Sequence, residues 1–364
     1  MPDGDTRGRA LNFSAGPAAY REIREEGFRP QRVGTLAGAS GGPKWLVLSQ
    51  LDRVVARRIL PGLVAPVHTI GTSIGAWRMA CLAQADPAAA IDRFERAYIE
   101  QAFSERADRA EISLRTAELL DLLLDADGVN EILGHPVLRT HVMTVRSRHL
   151  TASERPVSLA LGLLAAASCN VLSRESLGLF FERVLFYDAR CSGESLPPFF
   201  SVRGFPLHQV PLSPRNLRDA IIATGSIPMI MSGVRDIEGA PPGVYRDGGV
   251  IDYHIDLPQS DHQRLSLYLH FYDFLRPGWF DKRLGWRRPG PQNVDRMVLV
   301  SPSPEFVARL PGGKIPDRHD FVNFPTAERR RLWRGVVSAC RQLADELEEV
   351  LETDSLAGRI VPFA

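Results

Sequence analysis

Cysteine is scarce in this sequence: four in 364 residues, Cys81, Cys169, Cys191 and Cys340, all far apart. No CxxC pair exists, so neither a zinc site nor a disulfide framework is expected, and a reducing compartment is the natural setting. An excess of one charge is missing too. Lys and Arg number 44 against 43 Asp and Glu, a formal net charge of +1, which argues against nucleic acid as the main partner. Long apolar runs are also wanting. Met1 to Tyr20 carries Asp3, Asp5 and several arginines and has no signal-peptide core. The most apolar stretch, Val157 to Leu172, is broken by Ser158, Ser168 and Asn170 and falls short of the roughly 20 residues that span a bilayer. It reads as a buried helix or a lipid-facing flap, with the buried helix favoured. Internal repeats and low-complexity segments are lacking as well. The expected location is cytoplasmic, at most peripheral to a membrane.

What is present is ordinary globular material, 44% hydrophobic and 24% charged, in a chain long enough to bury a substantial core. The first third alternates short apolar runs with amphipathic segments, the pattern of strands and crossover helices. Arg32 to Ala37 reads as a strand, followed by a Gly/Ser turn and an apolar-periodic helix from Trp45 to Leu60. Val64 to Ile70 is a second strand, Gly71 to Gly75 a turn, and Ala76 to Ala85 a helix. Two such units in succession imply a parallel sheet with right-handed crossovers. Pro87 to Asp125 reads as helical. Further strands are expected at Leu138 to Arg146, Arg183 to Tyr187, Val244 to Arg246, Leu265 to Phe271 and Arg296 to Val300. Pro214 to Thr224 is a helix opened by Ser213-Pro214, and one long charged helix, Thr326 to Glu352, comes last. Arg276 to Gln292, rich in Pro, Gly and Arg, suits an exposed loop.

Three short motifs carry chemistry. Gly71-Thr72-Ser73-Ile74-Gly75 fits G-x-S-x-G between an apolar strand and a helix-forming run. A nucleophilic serine must project from a sharp turn, and glycines two residues away on each side let the backbone close. The helix that follows directs its N-terminal amides toward the reaction centre. An ordinary glycine-bracketed turn would look the same. Gly38-Ala39-Ser40-Gly41-Gly42-Pro43-Lys44 ends the preceding strand, and its glycines let backbone N–H groups turn toward one point, as an oxyanion hole requires. A phosphate loop is the competing reading, but Trp45 follows Lys44, so neither G-x-x-x-x-G-K-[ST] nor G-x-G-x-x-G is matched. Arg246-Asp247-Gly248-Gly249 places a carboxylate at a strand end. It could take the serine proton directly if burial raises its pKa toward the working pH. Alone, Asp-Gly-Gly is a common turn.

Together and in this order, the Ser40–Lys44, Gly71–Gly75 and Asp247–Gly249 motifs resemble those of the patatin-like phospholipases. Ala223-Thr224-Gly225-Ser226-Ile227-Pro228 adds the family's Ala/Ser-rich segment that ends in proline. The resemblance covers about Gly34 to Asp252. It implies a three-layer α/β/α fold with a mainly parallel central sheet, as a single domain over 1–364. Within that domain, about 30–275 would be the motif-bearing core, about 86–180 a helical insertion and 276–364 a C-terminal extension. It further implies a serine-aspartate dyad, with Ser73 as nucleophile and Asp247 as base, and amides near Gly41 and Gly42 for the oxyanion. Gly38, Ser40, Lys44, Gly71, Gly75, Gly248 and Gly249 would support that site. The substrate would be a lipid acyl ester, with no metal or organic cofactor. The family's glycine-rich loop usually has arginine then glycine where this chain has Lys44 and Trp45. The loop's charge keeps its sign, while its shape and the width of the acyl pocket stay open.

Rival readings come from the same residues. His254, His262, His270 and His319 all follow Asp247, the chain order of a Ser-His-Asp esterase or thioesterase, and Ser40 is a rival nucleophile. A non-catalytic lipid-binding protein on the same fold is the third. The loop Arg276 to Gly290 interleaves Trp279, Phe280 and Trp286 with Arg276, Lys282, Arg283, Arg287 and Arg288, a mixture suited to docking on a membrane surface. The same loop could instead be solvated, with its aromatics packed back on the core. Arg329-Arg330-Arg331 reads as a solvated helix face.

Overall fold

The short apolar runs become strands of one sheet. A computed structural model describes residues 9–193, 196–202, 204–259 and 263–363. Its strands are β1 (Leu11–Ala15), β2 (Val33–Gly38), β3 (Val67–Gly71), β4 (Leu138–Ser147), β5 (Phe181–Tyr187), β6 (Leu207–Pro211), β7 (Val234–Arg235), β8 (Val244–Asp247), β9 (Leu265–Leu269), β10 (Met297–Pro302) and β11 (Val361–Pro362). They lie in the order β11-β1-β10-β9-β2-β3-β4-β5-β6, with β8 on β4 and β7 on β8. From β10 through β9, β2 and β3 to β4 every pairing is parallel. The strands β2, β3, β9 and β10 are buried at every residue, as parallel strands covered on both faces must be. Helices on the two faces complete a three-layer α/β/α patatin-like fold.

Strand lengths position the site. The pairing of β3 with β4 stops at Gly71 and Val142, while β4 runs on to Ser147. Strand β8 occupies that overhang in the antiparallel sense, with Thr144 opposite Asp247. The end of β3 and the end of β8 therefore meet beside the same central strand. The helix after β3, Ile74–Leu82, is buried along its whole length.

Several expectations change. The Trp45 to Leu60 helix is divided into a 3-10 turn (Gly42–Val47), a short α-helix (Ser49–Val54), a π turn (Val55–Ile59) and a last 3-10 turn (Leu60–Gly62), Pro61 preventing continuation. The charged terminal helix divides at Cys340 into Thr326–Ala339 and Arg341–Glu352. The break lets Trp333 and Val336 on one side and Leu343 and Leu347 on the other all reach the interior. Segment 86–180 holds helices but also β4, at the middle of the sheet. Strands β1, β6, β7 and β11 have no counterpart in the sequence reading.

The buried reading of Val157 to Leu172 is overturned. These residues form the helix Pro156–Leu172, which buries only Leu159, Gly162, Ala166 and Asn170. Val157, Leu161, Leu164, Val171 and Leu172 are exposed. The sequence is apolar all round, but only one side finds a partner, a small cluster that includes Val145, Phe181, Val250 and Ile251. Among the described residues, no helix is long and apolar enough to cross a membrane.

Candidate active site

Ser73 follows β3 in a conformation of φ 50°, ψ −133°, a strained region for a residue with a side chain that costs about 1–3 kcal/mol. The strain is held by close backbone packing. A Cβ on Gly75 would lie 1.9 Å from the Gly38 carbonyl oxygen, so only glycine permits the elbow to touch the loop after β2. The Thr72 N–H donates to that same Gly38 carbonyl at 3.2 Å, and the Ser73 N–H donates to Thr224 Oγ1 at 2.9 Å. Thr224 in turn donates to the Met143 carbonyl on β4. The 223–228 segment, found in the sequence only through resemblance, thus supports the elbow. It also fixes β8, because the Asp247 N–H donates to the Ser226 carbonyl at 3.1 Å.

Ser73 Oγ donates to Asp247 Oδ2 at 2.8 Å, and the Gly249 N–H donates to Asp247 Oδ1 at 2.7 Å. Ser73 is 6% exposed and Asp247 8%, so both are buried while a small part of each still reaches solvent. Burial disfavours the charged carboxylate and outweighs the hydrogen bonds from Gly249 and Ser73 and the charge of Lys282, leaving Asp247 pushed up to about 6. A Cβ on Gly249 would sit 2.2 Å from Ser40 Oγ, which joins the Asp247 motif to the glycine-rich loop. Ser40, the rival nucleophile, is itself buried, and its hydroxyl donates to Thr72 Oγ1 at 3.0 Å.

In the glycine-rich loop, Gly42 takes φ +54°, the left-handed region glycine favours. The N–H groups of Gly41 and Gly42 have no hydrogen-bond acceptor among the described residues. Gly38, at the start of the same loop, touches Gly75 of the elbow. Lys44 follows, its ammonium 5.9 Å from the Phe271 ring centroid, and desolvation lowers its pKa. Trp45 is buried in the core, stacked on Phe94 at 4.4 Å and edge-on to Tyr98 at 5.7 Å. Its indole acts as packing.

The candidate histidines are engaged elsewhere. His254 Nδ1 accepts the Arg276 N–H at 2.9 Å, and His270 Nδ1 accepts the Tyr272 N–H at 3.0 Å. Both rings are buried and neutral, desolvation lowering both pKa values, His270 to about 3. His319 stands exposed at the N-cap position of the short helix Asp320–Asn323, its side chain making no cap bond, and His262 lies outside the described residues. Among the described residues no histidine bonds to Ser73 or Asp247.

The chain after Asp247 is clamped by a buried ion pair that the sequence reading missed. Arg183 on β5 makes two bonds to Asp252, 2.8 and 2.7 Å. Neither partner carries a motif, so only the tertiary fold reveals it. In the docking loop, Trp286 is exposed, whereas Trp279 and Phe280 are half-buried and packed edge-on at 5.0 Å. Lys282 places its ammonium 3.9 Å from the Tyr253 ring centroid. Arg329, expected on a solvated face, is buried against Phe321 and Trp333.

His68, His141 and Cys191 are the one group among the described residues with donor atoms close enough for a metal. The Asp188 N–H donates to His141 Nδ1, so His141 Nε2 carries the proton and donates to His68 Nδ1 at 3.1 Å. That tautomer satisfies the pair as hydrogen-bonded core histidines.

Residues 54–254 match the family model for patatin-like phospholipase. That is more than half of the chain, and the chain belongs to this family, whose general class is lipid acyl hydrolase. The match takes in Ser73 and Asp247 but begins after the glycine-rich loop. No curated protein matches the sequence. Among solved structures, VipD from Legionella pneumophila is similar at 13% identity and TM-score 0.36, over 94% of this chain and 71% of that one. Human GIVD cytosolic phospholipase A2 is similar at 13% identity and TM-score 0.35, over 97% and 69%. Both are distant likenesses.

Proposed function

We propose that this chain is a serine lipid acyl hydrolase, of phospholipase A or lysophospholipase type, working through a Ser73/Asp247 dyad. The observation that carries the reading is the 2.8 Å bond from Ser73 Oγ to a buried Asp247 whose pKa is pushed up to about 6. A carboxylate near neutrality is basic enough to accept a serine proton and acidic enough to return it. Ser73 Oγ attacks the ester carbonyl as its proton passes to Asp247. The oxyanion is met by the N–H groups of Gly41 and Gly42. Collapse expels the alcohol, which takes the proton from Asp247 and leaves the acyl group on Ser73. Water then attacks the acyl-enzyme, giving one proton to Asp247, and the fatty acid leaves as Ser73 regains its hydrogen. None of these steps calls for a metal or organic cofactor.

The test is hydrolysis of a soluble p-nitrophenyl ester by folded variants. Ser73→Ala and Asp247→Asn are expected to lose about a thousandfold or more in kcat. Replacement of His254, His262, His270 or His319 by Gln is expected to leave most turnover. A single indispensable histidine would instead establish a triad, and a wild-type protein without esterase activity would favour a lipid-binding role.

A further inference from the structure

The helix Pro156–Leu172 contains no charged residue over 17 positions, yet one side of it faces solvent. Val157, Leu161, Leu164, Val171 and Leu172 share that face at helical spacing, and Val157, Leu164 and Leu172 are 73%, 64% and 88% exposed. Leu150 and Leu179, on the short turns that flank the helix, are exposed beside it. Of the large hydrophobic side chains exposed among the described residues, these seven are the largest group in one neighbourhood, and a contiguous patch of this kind marks an interaction surface.

We propose that this face docks on a lipid surface with anionic headgroups and so delivers substrate to Ser73; the delivery rests on the hydrolase reading above. Continuity with the site is structural. The inner side of the helix, through Leu163 and Ala166, packs with Val250 and Ile251, which begin three residues after Asp247. The loop carrying Trp286, 66% exposed, is stapled to the helix end. Arg287 donates to the Asn170 carbonyl at 2.7 Å, and Asn170 Nδ2 donates to Asp281 Oδ1 at 2.8 Å. An exposed indole at the rim of an apolar face matches a bilayer interface.

Charge decides between occupants. Arg155 lies at the start of the helix and Arg283 and Arg288 on the stapled loop, all exposed. Glu175 is the exposed acid near the helix end, whereas Glu154 and Asp281 already face Arg246 and Arg174. The rim is therefore cationic. A second copy docked face to face would set this rim against its own like, whereas anionic headgroups complement it.

The test is vesicle flotation with the full chain, using phosphatidylcholine alone or mixed with a minority of phosphatidylglycerol. Wild type is expected to float with both, more with the anionic vesicles, and salt should weaken the difference. The double variant Leu161→Asp/Leu164→Asp, changed only at solvent-facing positions, should bind vesicles about tenfold or more weakly while its soluble-ester turnover stays unchanged. Ser73→Ala should float as wild type does. If flotation holds but no protein hydrolyses the ester, docking stands and the hydrolase reading fails. Equal flotation of the double variant overturns the proposal, as does a wild type that ignores both vesicles. A wild-type dimer that the double variant converts to monomer also overturns it, since a second copy then covers the face.

Discussion

Asp247 should reveal itself through pH in two opposite ways. In the proposed dyad its carboxyl must be ionised to take the Ser73 proton, and burial pushes it up to about 6 from an ordinary 3.8. The acid limb of kcat/KM on a soluble ester is therefore expected to have unit slope and a midpoint near 6, with about a tenth of the plateau left at pH 5. An unperturbed aspartate would keep most of its activity at that pH. Buried His254 or His270 acting as base would place the limb below the ordinary histidine value, since burial depresses both, His270 to about 3. Stability runs the other way. Because the folded state holds this proton more tightly than the unfolded chain, the favourable contribution is complete below about 3.8 and is lost as pH rises through about 6. Displacement from 3.8 to about 6 corresponds to at most about 3 kcal/mol. Asp247→Asn should therefore be more stable than wild type at pH 7–8, by about 1–3 kcal/mol, and nearly equal to it at pH 4. Urea unfolding of both proteins across this range measures the difference, in which all other titrating groups cancel. A limb centred near 4, or a variant no more stable at neutral pH, would refute the reasoning.

Three further outcomes follow from the packing around the dyad. Thr224→Val removes the acceptor of the Ser73 N–H and the donor to the Met143 carbonyl, so about 2 kcal/mol of stability and about tenfold in kcat should be lost, measured by urea melts and ester turnover. Gly75→Ala forces a Cβ to within 1.9 Å of the Gly38 oxygen and should unfold the elbow or cost more than about 3 kcal/mol, checked by thermal melting. Arg183→Met takes both side-chain hydrogen bonds from buried Asp252 and leaves it only the Arg174 guanidinium at 3.7 Å, so it should cost about 3 kcal/mol, whereas Arg183→Met combined with Asp252→Leu should recover part of that loss in the same assay.

The glycine-bracketed motifs were legible because their demands are local. An elbow that presses Gly75 against Gly38 and a turn that presses Gly249 against Ser40 tolerate only glycine at fixed offsets from the reacting residues. The strands β2, β3, β4 and β9 were equally plain, since both faces of a parallel sheet demand apolar side chains. Tertiary decisions were not legible. Nothing local in Trp45 says that its ring stacks on Phe94, and nothing in Arg183 or Asp252 announces a pair across 69 positions. The helix 156–172 misled for the same reason: hydropathy measures preference for burial, whereas actual cover depends on which neighbours the fold supplies.

Ser73 is the proposed activated nucleophile, and a fluorophosphonate examines that one atom without assuming a natural substrate. Intact-protein mass after incubation should rise by one phosphonyl adduct. Proteolysis should place it on the peptide containing Gly71 to Gly75, and both Ser73→Ala and Asp247→Asn should stay unlabelled. An adduct on Ser40 or any other residue, or no adduct on a folded wild-type protein, would contradict the account.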